Sequence, residues 1–191
     1  MHTLIQQKIS DSIQVKTAML ANEALLLQVF EVIRCTSEAL LQGKSVWFCG
    51  NGGSAADAQH LAAELSGRFY KDRKALPAEA LHVNTSYLTA VANDYGYEEV
   101  YARLLDGVGK TGDVLFAIST SGNSLNIIKA IEVAKKKGLL VVGMTGESGG
   151  KMLHLCDYLL NVPSNNTPRI QEAHILLGHI VCEGIELNLF P

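Results

Sequence analysis

Residues 46–69, VWFCGNGGSAADAQHLAAELSGRF, contain an apolar run, a glycine-rich turn and a helix-length segment in direct succession. The run at 46–49 shows little in-out alternation, which is typical of a strand buried on both faces. Residues 54–69 are long enough for a helix, and the glycines at 50–53 connect the two. This strand–loop–helix order indicates an α/β protein with a parallel sheet.

The same unit recurs along the rest of the chain. Further short apolar runs occupy residues 78–83, 114–118, 139–144 and 158–162, and helix-length segments occupy 124–137 and 170–187. Such alternation predicts right-handed crossovers and helices on both faces of the sheet. We therefore expect a three-layer α/β sandwich around a five-stranded parallel sheet of flavodoxin-like type over residues 44–191.

Two helices are predicted before the first strand. Ile5, Ile9 and Ile13 recur every fourth residue and therefore share one helical face. Residues 22–42 are apolar around most of the circumference, which predicts a helix buried on more than one side. Their narrow polar strip consists of Glu31, Arg34, Glu38 and Gln42. Gly43 is the predicted end of this helix.

Composition limits the classes of function. The chain of 191 residues is 48% hydrophobic and 18% charged, with a net charge of −3, which disfavours binding to nucleic acid or an anionic membrane. Four widely spaced cysteines without a C-x-x-C pair fit a reducing compartment. There is no signal-peptide pattern and no apolar run approaching about 18 residues. We expect a cytoplasmic protein.

Residues 119–124, STSGNS, follow a predicted buried strand and open a predicted helix. Hydroxyl groups, a glycine and a helix N-terminus together favour an anion site, and the hydroxyls suit a phosphate monoester. The alternative is that Ser124 only caps the helix and the remaining hydroxyls belong to turns. Because several hydroxyls exceed what a cap requires, we favour phosphate binding. No G-K-[ST] ending is present, so this is not a Walker loop.

The glycine loop at 50–55, GNGGSA, matches the G-x-G-x-x-A form of a dinucleotide-binding loop. Such a match is weak unless an acidic residue ends the second strand, and here Asn84 stands at that predicted position. We therefore predict no nucleotide cofactor. The loop instead indicates a small polar ligand close to the backbone, with Asn51 and Ser54 as hydrogen-bonding groups, or simply a tight turn.

Several ionisable residues are candidates for acid–base or metal chemistry. His60 and Glu64 are four residues apart on one predicted helix and share a face. The last helix adds Gln171, Glu172, His174 and His179, among which spacing alone selects Glu172 as the partner of His179. A carboxylate and an imidazole can move a proton between adjacent carbons, and such a set can also hold a divalent metal. Asn93 and Asp94 could contact sugar hydroxyls or form an Asx turn.

Five segments together resemble the phosphoheptose isomerases, a family with the sugar-isomerase (SIS) fold. They are CGNGGSAADAQHLAAELSGRF (49–69), AVANDYG (90–96), GDVLFAISTSGNSLNIIKAI (112–131), GMTGESGGKM (143–152) and RIQEAHILLGHIVCEGIE (169–186). The resemblance covers nearly the whole chain. It implies an aldose–ketose isomerase that converts sedoheptulose 7-phosphate to D-glycero-D-manno-heptose 7-phosphate, the first step toward the heptose of the lipopolysaccharide core.

The resemblance also implies roles for individual residues. Glu64 and His179 match the acid–base pair of the family. The substrate-contacting positions match Asn51, Gly52, Gly53, Glu64, Asn93, Asp94, Ser119, Thr120, Ser121, Ser124 and Gln171. A zinc site matches His60, Glu64, Gln171 and His179, so the resemblance replaces Glu172 by Gln171. It further implies a homotetramer in which residues 1–43 mediate oligomerisation while forming one structural unit with 44–191.

One departure and one alternative remain. Some family members carry an acidic residue where this chain has Pro168, so no assisting acid is expected there. A non-catalytic SIS tetramer that binds the bacterial replication initiator shares several motifs and the Leu189-Phe190-Pro191 ending. That branch lacks the counterparts of Glu64 and His179, which this chain keeps, so we place the chain with the enzymes.

Overall fold

Five parallel strands form the central sheet in the order β2-β1-β3-β4-β5 in the computed structural model, which describes residues 1–191. The strands are β1 (Val46–Gly50), β2 (Ala78–Ala80), β3 (Val114–Ile118), β4 (Leu140–Thr145) and β5 (Tyr158–Asn161). This order is that of flavodoxin-like sheets, and the predicted α/β fold with five parallel strands is confirmed.

Seven helices surround the sheet. They are α1 (His2–Leu20), α2 (Glu23–Leu41), α3 (Gly53–Ser66), α4 (Thr85–Tyr95), α5 (Val100–Val108), α6 (Leu125–Lys137) and α7 (Thr167–Leu189). Helices α4 and α5 were not predicted from the sequence. No helix of the chain combines the length and hydropathy needed to cross a membrane.

Side chains along β3 alternate between two apolar cores. Phe116 and Ile118 of β3 pack with residues of α2, α3 and α7, whereas Leu115 and Ala117 pack with residues of α5 and α6. Since both faces of the strand are fully buried, its sequence shows no polar alternation. The helices on the first face, α3 and α7, carry most of the predicted ionisable site residues.

The second strand is shorter than predicted, and this changes the place of Asn84. β2 ends at Ala80, and the backbone N–H of Val83 donates to the carbonyl oxygen of Ala80 in a turn. Asn84 is the N-cap of α4, where its side chain accepts a hydrogen bond from the N–H of Tyr87 at 3.0 Å. The prediction that Asn84 ends the strand was therefore wrong, because the apolar residues after Ala80 belong to the turn.

The two N-terminal helices are packed on one side only within this chain. Leu25, Val29 and Val32 of α2 are buried in the core shared with α7, but Phe30 is 59% exposed. The predicted stripe of Ile5, Ile9 and Ile13 on α1 is likewise exposed. Burial of α2 on more than one side is therefore not reached in a single chain.

Candidate functional site

A cavity of about 330 Å³ lies at the carboxyl ends of β1 and β3. In this sheet order, these two strands flank the switch point, where ligands of open α/β sheets bind. Ten residues line the cavity: Asn51, Gly52, Gly53, Ser54, Ile118, Ser119, Thr120, Ser124, Thr167 and Gln171. None of them is a lysine or an arginine, so backbone dipoles and hydroxyl groups dominate its electrostatics.

Three helices begin at this cavity, and none has a side-chain cap. The N-caps of α3, α6 and α7 are Gly52, Ser124 and Asn166, and none of their side chains accepts a hydrogen bond from the first turn. The positive ends of three helix dipoles therefore meet at one place. Such an arrangement favours an anionic ligand.

The hydroxyl of Ser124 faces the cavity floor instead of capping its helix. Its Oγ lies 3.0 Å from the Oγ of Ser119, a residue that is 4% exposed. The alternative in which Ser124 is merely a cap is thus not supported. Gly122 has a φ of +64°, and a Cβ there would lie 2.1 Å from the carbonyl oxygen of Gly149, so only glycine allows this loop to pack.

The side chain of Asn51 is hydrogen-bonded to Asn126, a residue that was not predicted as part of the site. Its amide exchanges two hydrogen bonds with the amide of Asn126, at 2.9 and 2.8 Å, and Asn126 is buried. The hydroxyl of Tyr97 also donates to Asn51 Oδ1 at 3.3 Å. This pair joins the glycine loop to the first turn of α6. A polar residue in an otherwise apolar helical face was the only signal in the sequence.

Besides Glu64, three predicted substrate-contacting residues do not line the cavity in this chain. Asn93 and Asp94 occupy the last turn of α4, are exposed, and bond to each other through Asn93 Nδ2 and Asp94 Oδ1 at 2.8 Å. Ser121 is also exposed, and its Oγ accepts a hydrogen bond from the N–H of Asn123 at 3.2 Å. Their roles stay predictions.

His60, Glu64 and His179 form a cluster between α3 and α7. Glu64 Oε1 lies 2.9 Å from His60 Nε2, and the Nε2 atoms of His60 and His179 are 3.2 Å apart. The ring of Phe69 packs against His179 with a centroid distance of 5.5 Å. The side chain of His60 is 51% exposed, so the cluster is open to solvent.

The cluster has the donor set of a metal site. Its ligand atoms all lie within 4.8 Å of one another. A tetrahedral zinc ion with bonds of about 2.0–2.1 Å places neighbouring ligand atoms roughly 3.3 Å apart, which is close to the two separations of 2.9 and 3.2 Å from His60. Two imidazoles and one carboxylate also match three-ligand catalytic zinc sites. These residues therefore fit a divalent metal ion.

Gln171 and Glu172, the two alternatives for completing this cluster, both point elsewhere. The amide of Gln171 lies over Gly53 at the cavity, so close that a Cβ on Gly53 would be 2.4 Å from its Nε2. Glu172, which spacing had favoured, pairs with Arg169 on the side of α7 that faces α1. The prediction that Glu172 is the partner of His179 was wrong, because helical periodicity does not show which neighbouring element a helix face contacts.

The cavity and the cluster lie at different positions along the same two helices, α3 and α7. His60 is seven residues beyond Gly53 on α3, and His179 is eight residues beyond Gln171 on α7, which correspond to rises of roughly 10 and 12 Å. The helices approach closely at Gly178, where a Cβ would lie 2.5 Å from Leu61 Cδ1. An extended sugar phosphate of several carbons has this length.

Burial shifts the pKa values of nearby groups without making them reactive at neutral pH. Desolvation raises the pKa of Cys182, one turn beyond His179, to about 12. Burial also raises the pKa of Asp57, one turn before His60, against the opposing effect of that histidine. Cys182 therefore stays a thiol, so nucleophilic cysteine chemistry is not expected here.

Comparison with known proteins agrees with this geometry. Residues 12–146 match the SIS domain family. A phosphoheptose isomerase of Aneurinibacillus thermoaerophilus is 52% identical over 190 residues, covering 100% of this chain and 96% of that protein. One of Clostridium acetobutylicum is 48% identical, with coverage of 100% and 97%.

Solved structures show the same similarity. The phosphoheptose isomerase of Neisseria gonorrhoeae has a TM-score of 0.92 and 40% identity, covering 97% of this chain and 98% of that one. That of Francisella tularensis has a TM-score of 0.93 and 35% identity, with 97% of each chain covered. The fold and the cavity thus define a SIS-domain protein of the sugar-phosphate isomerase class. Within that class, the chain belongs to the phosphoheptose isomerase family.

Proposed function

We propose that this enzyme interconverts sedoheptulose 7-phosphate and D-glycero-D-manno-heptose 7-phosphate. The observation that carries this proposal is the pairing of a hydroxyl-lined cavity at the N-termini of α3 and α7 with the His60–Glu64–His179 cluster further along the same two helices. The cavity binds the phosphate and the cluster acts on the first two carbons. The separation of roughly 10–12 Å along the helices suits an open seven-carbon chain.

The phosphate is bound by neutral groups. Ser119, Thr120 and Ser124 donate hydroxyl hydrogen bonds, and the N-terminal ends of α3, α6 and α7 supply the positive potential. Gln171 lies beside the sugar end of this cavity and is proposed to contact substrate hydroxyls. Asn93 and Asp94 are retained as proposed sugar contacts from α4.

The reaction moves two protons and no net electrons. A base removes one proton from C1 of the ketose while the carbonyl oxygen at C2 gains a proton, which gives the enediol. The hydroxyl proton at O1 is then released, and C2 receives a proton to form the aldose. We assign the transfers at carbon to Glu64 and the partner acid–base role to His179, whose side chains converge at His60.

We infer that the cluster holds one zinc ion per chain. The spacing and the types of the three donors support His60, Glu64 and His179 as ligands. A bound zinc ion supplies Lewis-acid stabilisation of the oxyanion that develops during enolisation. The assignment of Gln171 as a further ligand stays a prediction, because its amide lies at the cavity in this chain.

The decisive experiment is incubation of the purified protein with sedoheptulose 7-phosphate, with and without a chelator, followed by product analysis. Formation of the heptose 7-phosphate supports the activity. Loss of turnover on chelation, restored by zinc, supports the metal. A folded protein that yields no aldose in either arm overturns the proposal, whereas full activity after metal removal overturns only the zinc assignment.

Ser124→Ala separates phosphate binding from helix capping. We expect KM for sedoheptulose 7-phosphate to rise about 10- to 100-fold, because a hydrogen bond to a charged group contributes about 1.5–3 kcal/mol. The free energy of unfolding should fall by less than about 1 kcal/mol, since Ser124 caps no N–H group and loses only its hydrogen bond with Ser119. Steady-state kinetics and denaturant unfolding measure both quantities.

Asn22→Ala is the matched control for that variant. Asn22 is a true N-cap that accepts a hydrogen bond from the N–H of Leu25 at 3.1 Å. Its loss should cost about 1 kcal/mol of stability and leave KM unchanged. If Ser124→Ala instead lowered stability by the same amount and left KM unchanged, Ser124 would be a cap and the phosphate assignment would be incorrect.

We further propose that the enzyme is a homotetramer assembled through residues 1–43. Exposed apolar side chains on α1 and α2, including Ile5, Ile9, Ile13, Leu27 and Phe30, support this assembly. Sedimentation equilibrium should give the mass of four chains. A monomeric mass at micromolar concentration would contradict the proposal.

The cellular context is also proposed. We infer that the enzyme works in the cytoplasm and supplies heptose for the lipopolysaccharide core. All four cysteines are unpaired thiols, which suits a reducing compartment. The Leu189-Phe190-Pro191 ending has a local role in this chain. The Arg73 guanidinium carbon lies 5.6 Å from the centroid of the Phe190 ring, and Lys71 Nζ donates a hydrogen bond to the carbonyl oxygen of Phe190. That ending therefore does not by itself favour an adaptor function.

A further inference from the structure

A buried carboxylate organises the loop that follows α3. The side chain of Glu186 on α7 is 2% exposed. It accepts hydrogen bonds of 3.0 Å from the backbone N–H groups of Phe69, Tyr70 and Lys71. Three consecutive N–H donors on one carboxylate fix the backbone of this loop, which has no regular secondary structure.

Arg73 completes the arrangement from the other side. Its side chain is also 2% exposed, and its Nε donates to Glu186 Oε1 at 2.9 Å. The remaining guanidinium donors bind carbonyl oxygens at the end of α3: Glu64 at 2.8 Å, Leu65 at 2.8 Å and Gly67 at 3.1 Å. A helix end leaves such carbonyls without partners, so Arg73 acts as their cap.

Both buried charges lie next to the His60–Glu64–His179 cluster. Glu186 is seven residues beyond His179 and on the same face of α7. The loop fixed by Glu186 carries Phe69, whose ring contacts the His179 ring. Arg73 binds the backbone of Glu64 itself. Glu64 is thus connected to this pair by one contact, and His179 is connected to it through Phe69.

We propose that Arg73 and Glu186 are positioning residues that hold Glu64 and the Phe69–His179 contact in register for proton transfer. This inference rests on the proposed roles of Glu64 and His179. Both side chains are 2% exposed and neither lines the cavity, so we assign them no contact with the substrate. They set the geometry of the cluster and leave phosphate binding to the cavity.

Glu186→Gln tests the proposal, because it keeps the shape of the side chain and removes its charge. We expect kcat to fall about 10- to 100-fold, as for a displacement of about 1 Å at a reacting group. KM should change by less than about 3-fold, since the cavity is untouched. The His179 resonance in protein with isotope-labelled histidine should shift, because the ring current of Phe69 moves. Phe69→Leu should reproduce that shift.

Controls separate positioning from simple stabilisation. Glu31→Gln breaks an exposed ion pair with Arg34 on α2 and should alter neither kcat nor the His179 resonance. A folded Glu186→Gln protein with lower thermal stability but normal kcat and an unchanged His179 resonance would overturn the proposal. If Glu186→Gln does not fold, Arg73→Lys and Phe69→Leu provide the test. A wild-type kcat in both of these variants would overturn the proposal. An inactive wild-type protein would instead overturn the proposed function. In that case, the shift of the His179 resonance in Glu186→Gln still reports whether Glu186 positions the ring.

Discussion

Glu64→Gln is expected to lower kcat for sedoheptulose 7-phosphate by about 10³-fold, because positioned acid–base groups contribute about 10²–10⁴-fold. The amide keeps the size of the side chain but cannot take a proton from carbon. KM should stay within about 3-fold of the wild-type value, since the phosphate cavity lies roughly 10 Å away along α3 and α7. Steady-state assay of heptose 7-phosphate formation measures both parameters.

The matched control is Glu132→Gln, which removes an exposed carboxylate from α6 without touching the cluster. It should leave kcat and KM unchanged. Near-normal turnover by a folded Glu64→Gln protein would remove Glu64 from the mechanism, whatever the control shows. A large rise in KM with an unchanged kcat would instead place Glu64 in substrate binding.

The second large effect concerns stability and originates at His174. This residue is fully buried on α7, and its Nε2–H donates to the carbonyl oxygen of Thr145 at 3.1 Å while Nδ1 has no partner. Burial lowers its pKa to about 4, against a smaller opposing effect of that hydrogen bond. The folded protein therefore holds a neutral imidazole that the unfolded chain protonates below its ordinary pKa of 6.5.

The sign of the pH effect follows from this difference. Between pH 6.5 and about 4 the unfolded state binds the extra proton, so stability is complete above pH 6.5 and is lost as the pH falls. We expect a loss of about 2 kcal/mol between pH 7 and pH 5 from this residue. Denaturant unfolding at fixed protein concentration measures it.

His174→Gln should remove this pH dependence, although the variant is less stable at neutral pH. The glutamine can still donate to Thr145 but does not titrate. His154→Gln, at an exposed position, is the control and should retain the wild-type slope. An equally steep loss of stability in His174→Gln would assign the pH dependence to other groups.

Motifs with a strong local cause were predictable. The strands carry few polar residues, so their number followed from short apolar runs, and their parallel arrangement followed from the alternation of these runs with helix-length segments. The STSGNS loop was identified because hydroxyls, a glycine and a helix start must coincide for anion binding. The predicted β2 was too long because the turn after Ala80 is as apolar as the strand. Helices α4 and α5 were not predicted.

The cluster was only partly predictable. His60 and Glu64 share a face because they are four residues apart, which is a property of any helix. Their meeting with His179 depends on how α3 packs on α7, and spacing alone had selected Glu172 instead. Asn126 and Glu186 were missed because each looks like an ordinary polar residue until its buried partners are known.

Local chemistry therefore determined the parallel sheet, the anion-binding loop and the residue types available for proton transfer, since these depend on neighbours within a few positions. Tertiary packing decided which imidazole meets which carboxylate, where Gln171 points, and which charges are buried. The physical reason is distance along the chain: His60 and His179 are 3.2 Å apart in space, and only the close crossing of two helices at Gly178 brings them together.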